Sequence, residues 1–265
     1  MKVVKTHIAV VPAAGIGSRM KSSIAKQYLK IGGQTVIEHT LDALLSHPQI
    51  SDVIVVLHPQ DTIFDSLGIA DNPAIKKVVG GDERVDSVLN GLKYCSQLRH
   101  DNQQGNSKNQ WVLVHDAARP CLTHAELDDL LATTEHCDGA ILAIPVVDTI
   151  KQGAISTISC KELRGKALLT QSAVIQNTVD RTELWQAHTP QFFPLKRLID
   201  AIQTAQQNNI QITDEASAME HINAEIKLIE GRSTNIKITR PSDLALAEFY
   251  LNNNNNKQRG SRCSA

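Results

Sequence analysis

The sequence predicts an α/β fold: a mostly parallel mixed sheet with helices on both faces and a protruding β-arm. Two observations carry this. Short β-branched runs alternate with helical patterns along the first half of the chain, as in a parallel sheet covered by helices. Over residues 147–185 the alternation stops, and Ser, Thr and Val dominate without helical periodicity. Unstructured connections of that length are uncommon in a compact domain, so this stretch is read as a long hairpin or arm.

The elements follow in order. "THIAVVP" is a buried first strand; Lys2 and Lys5 before it faintly resemble the start of a signal peptide, but Pro12 breaks the apolar core too early. "VIEHTLDALLSH" places Ile37, Leu41, Leu44 and Leu45 on one helical face. "DVIVVL" and "IKKVVGG" are the next strands, and "ERVDSVLNGLKYCSQL" is an amphipathic helix through Val85, Val88, Leu89 and Leu92. "DNQQGNSKNQ" is a surface loop, and "WVLVHD" is another strand. In "THAELDDLLATTEHC", Thr123 and Glu126 stand at capping-box spacing. "GAILAIPV" is a strand that leads into the arm.

Beyond the arm, regular elements return with "FFPLKRLIDAIQTAQ", "TDEASAMEHI", "IKLIEG", "NIKI" and a last helix, "PSDLALAEFYL". The tail "NNNNNKQRGSRCSA" is polar and of low complexity. The expected organisation is one domain over residues 1–251, with the arm at about 147–185 inserted for dimerisation, and a disordered tail at 252–265.

Composition excludes several functions. At 265 residues and 42% hydrophobic, the chain can bury a sizeable core. A formal net charge of −1 gives no global attraction to nucleic acid or an acidic membrane, so anion binding must come from a local cluster. At 3% aromatic, the chain lacks the residues for stacking platforms along a nucleic-acid groove. The 5 cysteines are scattered and never spaced as CxxC, and the 10 histidines include no HExxH pair. Reduced thiols in a cytoplasmic protein are the expectation, rather than a disulfide framework or a zinc site. No run of 18 apolar residues predicts a transmembrane helix.

The stretch "VPAAGIGSRMKSSIAKQY" carries the first chemical signal. Gly15 and Gly17 follow a strand, where open α/β sheets bind ligands, and they let the backbone approach a phosphate. By themselves they fit a plain turn equally well. No GxxxxGK[ST] run exists. Met20 replaces the third glycine of a dinucleotide fingerprint, and Leu57 and His58 stand where NAD binding wants an acidic residue. Arg19 and Lys26 after the loop suit a triphosphate, Arg as a fork and Lys as a mobile point charge.

A second cluster is "VHDAARP", which includes Ala117 and Arg119. Asp116 ends a strand among apolar neighbours and should face the same crevice. A carboxylate there can hold Mg²⁺, which takes one or two carboxylates plus substrate phosphates, or it can cap a turn. "GGDERVDS" also follows a strand.

Taken together, "PAAGIGSRM", "KQYL", "GGDERVDSV", "VHDAARPC", "TPQFF", "ITDEASAME" and "NIKITRPSDLALAE" resemble the 2-C-methyl-D-erythritol 4-phosphate cytidylyltransferase family, in order from Ile8 to Leu251. The resemblance implies a Rossmann-like nucleotidyltransferase fold acting as a homodimer. It implies transfer of a cytidylyl group from CTP to the phosphate of methylerythritol phosphate with Mg²⁺, in non-mevalonate isoprenoid synthesis. On this pattern Pro12, Ala13, Ala14, Gly15 and Gly17 hold the nucleotide with Gly81, Asp82, Ser87 and Ala117. Arg19 and Lys26 match catalytic cations, and Asp116 matches the acidic residue near metal and ribose. Arg119, Thr149, Arg181, Thr189, Thr213 and Lys237 match positions around the second substrate. The family's arm crosses to the partner, so Thr149 and Arg181 would serve the other chain's site. Two departures stand out: Ala25 replaces a proline before the lysine, and the arm is longer than usual.

Rival readings are a cytidylyltransferase for another polyol phosphate, such as ribitol 5-phosphate, and a non-catalytic nucleotide-binding regulatory protein. An NAD-dependent oxidoreductase is disfavoured by Met20 and Leu57.

Overall fold

A computed structural model of the chain describes residues 7–15, 24–100, 110–133, 137–159 and 169–262, with backbone alone at 99–100, 155–159, 169–172 and 254–262. Gly17 and Arg19 therefore lie outside the described residues. The chain divides into two units, Met1–Ala143 with Ala187–Ala265, and Ile144–Gln186.

In the first unit, β1 (His7–Pro12) leads to a short hairpin, β2 (Lys30–Ile31) and β3 (Gln34–Thr35). Its turn is Gly32–Gly33, where φ values of +56° and +94° favour glycine. Helix α1 (Val36–Leu45) starts on a capping box between Thr35 and Glu38. Strands β4 (Ile50–Leu57) and β5 (Ile75–Val79) follow, then α2 (Arg84–His100), β6 (Trp111–Val114) and α3 (His124–Leu131). The Thr123–Glu126 capping box expected from the sequence opens α3, a feature contributing about 1 kcal/mol. Strand β7 (Gly139–Pro145) runs toward the arm.

The second unit is a β-hairpin. Strands β8 (Ile150–Ser159) and β9 (Leu169–Val179) pair antiparallel, from Ile150 opposite Val179 to Ser159 opposite Leu169. The lost helical periodicity over residues 147–185 predicts an arm, and this hairpin is its regular structure.

Strand β10 (Trp185–Pro194) then returns to the main sheet, followed by α4 (Leu195–Gln207), α5 (Glu215–His221), β11 (Ile226–Glu230) and α6 (Pro241–Arg262). The sheet has 7 strands in the order β11-β7-β10-β6-β1-β4-β5. β1 runs parallel to β4 and β6, β4 to β5, and β7 to β11, while β10 is antiparallel to β6.

Period-two alternation buries both faces of the central strand. Ala9 and Val11 pack with Ile37, Leu41, Leu44, Leu127 and Leu130 under α1 and α3. Ile8 and Val10 pack with Val88, Leu92, Leu198, Ile202 and Met219 under α2, α4 and α5. Each such fully buried Val, Leu, Ile or Met side chain contributes about 1.5–3 kcal/mol.

Three local expectations change. Phe192 and Phe193 belong to a strand rather than to the start of α4, and both are fully buried. "NIKI" forms no regular strand; Ile238 instead donates its N–H to the Ala118 carbonyl. The last helix continues past Leu251 through the asparagine run to Arg262, since propagating a formed helix costs less than starting one.

Candidate active site

β1 has β4 on one side and β6 on the other, so the strand order reverses at β1. Open α/β sheets bind ligands outside the carboxyl ends of strands at such a switch point. Here those ends deliver Ala13–Gly15 and Asp116.

The first loop is fixed from several directions. Ala13 donates its N–H to Val56 O at 2.8 Å. Gln27, buried, donates through Nε2 to Ala13 O at 2.7 Å and to Gly15 O at 3.3 Å. Tyr28, next along, donates to Asp61 Oδ2 at 2.6 Å. Lys26 thus sits on a single helical turn whose two following side chains are pinned. Its Nζ donates to Ile238 O at 3.1 Å, one residue from Lys237.

The second loop packs closely on the first. A Cβ on Gly80 would sit 2.7 Å from both Ala14 Cβ and Ser87 Oγ, so only glycine fits. Ser87, buried, accepts from Gly81 N–H at 3.1 Å. By contrast, a Cβ on Gly15 would meet nothing within 4 Å among the described residues.

A cavity of about 180 Å³ lies between these loops. It is lined by Pro12, Ala13, Ala14, Gly15, Lys26, Gly81, Asp82, Ser87, Asp116 and Ala117, together with Arg84 and Lys237. The proposed nucleotide residues that are described, and Lys26, therefore share one cleft. A second cavity of about 230 Å³ is lined by Arg119, Thr189, Thr213, His188 and Gln191, and again by Arg84, Asp116 and Lys237. Thr149 and Arg181 lie, exposed, in the hairpin unit.

Asp116 is the meeting point. Lys237 Nζ lies 2.7 Å from Oδ2, Arg84 Nη2 lies 3.2 Å from Oδ1, and Arg119 Nε lies 3.7 Å from Oδ2. Burial pushes this carboxyl's pKa up, but Arg84, Lys237 and Arg119 outweigh burial and hold it well below the usual carboxylate range.

Behind Asp116 a neutral network fixes the backbone. Thr189 Oγ1 accepts from Asp116 N–H at 3.0 Å and lies 3.0 Å from His115 Nδ1. His115 Nε2 lies 3.1 Å from Arg119 O. A carbonyl only accepts, so Nε2 carries the proton and Nδ1 accepts from the threonine hydroxyl. Burial pushes His115 down to about 4, which keeps this tautomer neutral at pH 7. The Thr189–Pro190 peptide is cis. Asn235 completes the wall by donating to Thr189 O at 3.0 Å and accepting through its carbonyl from Arg119 Nη1 at 2.6 Å.

The sequence reading missed Arg84, Glu215, His115 and Asn235. Arg84 and Glu215 stand inside the quoted motifs, yet nothing in the sequence says that two charges 131 residues apart form a pair.

The 2-C-methyl-D-erythritol 4-phosphate cytidylyltransferase (IspD) family model matches residues 7–253. The chain belongs to this family. A 2-C-methyl-D-erythritol 4-phosphate cytidylyltransferase of Photorhabdus laumondii is 50% identical over 250 residues, covering 92% of this chain and 94% of its own. One from Pseudoalteromonas atlantica is 49% identical, covering 95% and 97%. Among solved structures, a 4-diphosphocytidyl-2C-methyl-D-erythritol synthase superposes with a TM-score of 0.73 at 33% identity, covering 94% of this chain and 99% of its own. The Francisella tularensis cytidylyltransferase gives 0.71 at 29% identity, covering 92% and 99%.

This cytidylyltransferase family member is thus a nucleotidyltransferase of isoprenoid precursor synthesis. It moves the cytidylyl group of CTP to 2-C-methyl-D-erythritol 4-phosphate. Its α/β fold is the one its structural relatives share. Among the described residues, no helix is long and apolar enough to cross a membrane.

Proposed function

We propose that the first cavity takes CTP and the second takes the polyol phosphate, with the new bond forming across the partition that Arg84, Asp116 and Lys237 share. The observation that supports this is that these three residues line both cavities. A phosphate of the acceptor entering the second cavity meets the α-phosphate at that partition.

The nucleophile needs no general base. A phosphate monoester has a second pKa near 6 and is mostly dianionic at neutral pH. The obstacle is repulsion: two unit charges about 4 Å apart oppose each other by about 4 kcal/mol at an effective dielectric near 20, about a thousandfold in rate. Lys26, Arg84 and Lys237 offset that repulsion, and so does Arg19 by resemblance. They also stabilise charge at the α-phosphate and on departing pyrophosphate. Asp116 orients Lys237 and Arg84. Gly15, whose Cβ position is open, leaves room for a phosphate close to the backbone.

Mg²⁺ would be held here by a single carboxylate, in exchange for one of the cations that Asp116 now meets. Among the described residues no group of three or more His, Cys, Asp or Glu gathers to hold a metal. Asp116 would be the protein ligand, and Mg²⁺ commonly takes its remaining ligands from phosphates and water. When bound, the ion supplies positive charge to the triphosphate.

The family resemblance supports a homodimer in which Thr149 and Arg181 of one arm reach the partner's acceptor site. Val147, Val174, Ile175, Leu184 and Trp185 are exposed apolar residues of the hairpin unit, which suits an arm that packs on a partner. A cytoplasmic location follows from the same reading.

The test is release of pyrophosphate from CTP and Mg²⁺ with methylerythritol phosphate, against ribitol 5-phosphate in parallel. Turnover with the first alone supports the assignment. Equal turnover with both would show that the second cavity does not select the acceptor.

A further inference from the structure

Arg84 faces two carboxylates at once. Its Nη1 and Nη2 donate to Glu215 Oε1 and Oε2 at 2.7 and 3.2 Å, a two-point fork. Its Nε and Nη2 donate to Asp116 Oδ1 at 3.4 and 3.2 Å. Arg84 lines both cavities, whereas Glu215 lines neither and is only 2% exposed. Glu215 therefore stands behind the arginine rather than in the path of a substrate.

Glu215 is itself rigidly held. It begins α5, whose Asp214–Ser217 capping box is complete. Gln191 accepts from Ala216 N–H at 2.8 Å and donates to Asp214 Oδ2 at 2.8 Å, tying this helix start to β10. Two residues earlier on β10, Thr189 bonds the Asp116 backbone. The contacts close a ring: Glu215 to Arg84, to Asp116, to Thr189 and Gln191, and back to the start of α5.

A long arginine left alone would sample many rotamers and would be pulled toward Asp116 or toward either substrate. A buried carboxylate that grips two of its nitrogens removes that freedom. We propose that Glu215 is a positioning residue for the transfer: it clamps the Arg84 guanidinium in the partition between the cavities, so that one cation faces the phosphate groups of both reactants. This rests on the assignment of the cavities to CTP and the polyol phosphate.

The experiment measures kcat and both KM values, with thermal melting, for Glu215→Gln, Arg84→Gln, Arg84→Lys and the double variant Arg84→Gln/Glu215→Gln. Losing a charged hydrogen-bond pair should lower kcat/KM about tenfold or more in Glu215→Gln, for both substrates. The double variant should be no worse than Arg84→Gln alone, because without Arg84 the clamp has nothing to hold. A merely structural glutamate would lower the melting temperature and leave both KM values of the folded enzyme unchanged.

Wild-type kinetics in Glu215→Gln would overturn the proposal, as would losses that simply add in the double variant. Should Glu215→Gln fail to fold, Arg84→Lys decides, since it keeps the charge and loses the fork. A comparable loss for both substrates supports the clamp, and wild-type values overturn it. Failure of the cavity assignment looks different: a wild-type enzyme that does not discriminate acceptors, whatever the clamp variants do.

Discussion

The Lys237 ammonium lies 2.7 Å from Asp116 Oδ2, and the same carboxylate also meets Arg84 and Arg119. A single buried anion thus keeps three cations from repelling one another in a cleft built for phosphate. Asp116→Asn should destabilise the fold by about 3 kcal/mol, because it takes the counter-charge from buried Arg119 and from half-buried Arg84 and Lys237. Chemical denaturation checks this, and an unchanged midpoint would mean the cations have other partners. In the unfolded chain the carboxyl titrates near 3.9. Its folded value is lower, so its stabilisation is complete above about pH 4 and fades as the pH falls below that.

Lys26→Ala should lower kcat by about 10²- to 10³-fold, as expected when one preorganised donor to developing charge is lost. Steady-state assays on the folded variant measure it. The Lys26 ammonium already reaches the cleft wall at Ile238 O, 3.1 Å away, so little reorganisation separates it from a triphosphate. A near-normal kcat would remove Lys26 from the mechanism.

Arg181→Ala should raise KM for the polyol phosphate and leave KM for CTP nearly unchanged. If the arm serves the partner's site, mixing inactive Lys26→Ala with weakened Arg181→Ala under subunit exchange should restore activity, since each mixed dimer then carries one intact site. No recovery after confirmed exchange would put both groups in the same chain's site.

Two buried histidines set a second pH dependence. Burial pushes His115 down to about 4, and burial together with the Arg119 guanidinium pushes His188 down to about 4. In the unfolded chain both titrate near 6.5. Between these values the unfolded chain binds the protons first, so stability falls as the pH drops from about 6.5 toward 4. The slope is about 1.4 kcal/mol per pH unit for each group. Melting curves across that range should show it, and His188→Leu should cut the slope to about half, leaving the share of His115.

Two glycines should separate folding from binding. Gly80→Ala would press a methyl against Ala14 Cβ and Ser87 Oγ, each 2.7 Å away, and should lower stability by about 1–3 kcal/mol. Gly15→Ala meets no atom of the described residues within 4 Å, so the variant should fold normally and bind CTP more weakly. Equal melting temperatures for the two variants would contradict this division.

The strands were legible because runs such as "IAVVP" and "DVIVVL" are short, uninterrupted and buried on both faces. The helices were legible where period and cap coincided, as at Thr123 and Glu126. "NIKI" misled because its alternation comes from Ile238, buried in a core cluster, and Ile236, packed against that cluster, on a loop that carries Lys237 to Asp116. "TPQFF" was harder to place because Pro190 lies within, and Pro194 ends, a strand that runs against its neighbour. At the site, Lys26 and Asp116 could be found from charge beside a loop or a strand end. Arg84 and Glu215 could not, because their roles exist only once the fold brings the first residues of α2 and α5 together.

β5 closes one border of the sheet and β11 the other. β5 carries Lys76 and Lys77, and β11 carries Lys227. Lysines on a border strand discourage a foreign strand from hydrogen-bonding alongside, because pairing would strip water from their ammonium groups. Copies of this chain are therefore steered away from zipping into a continuous ribbon, and crowded solutions of it should resist fibre growth by that route.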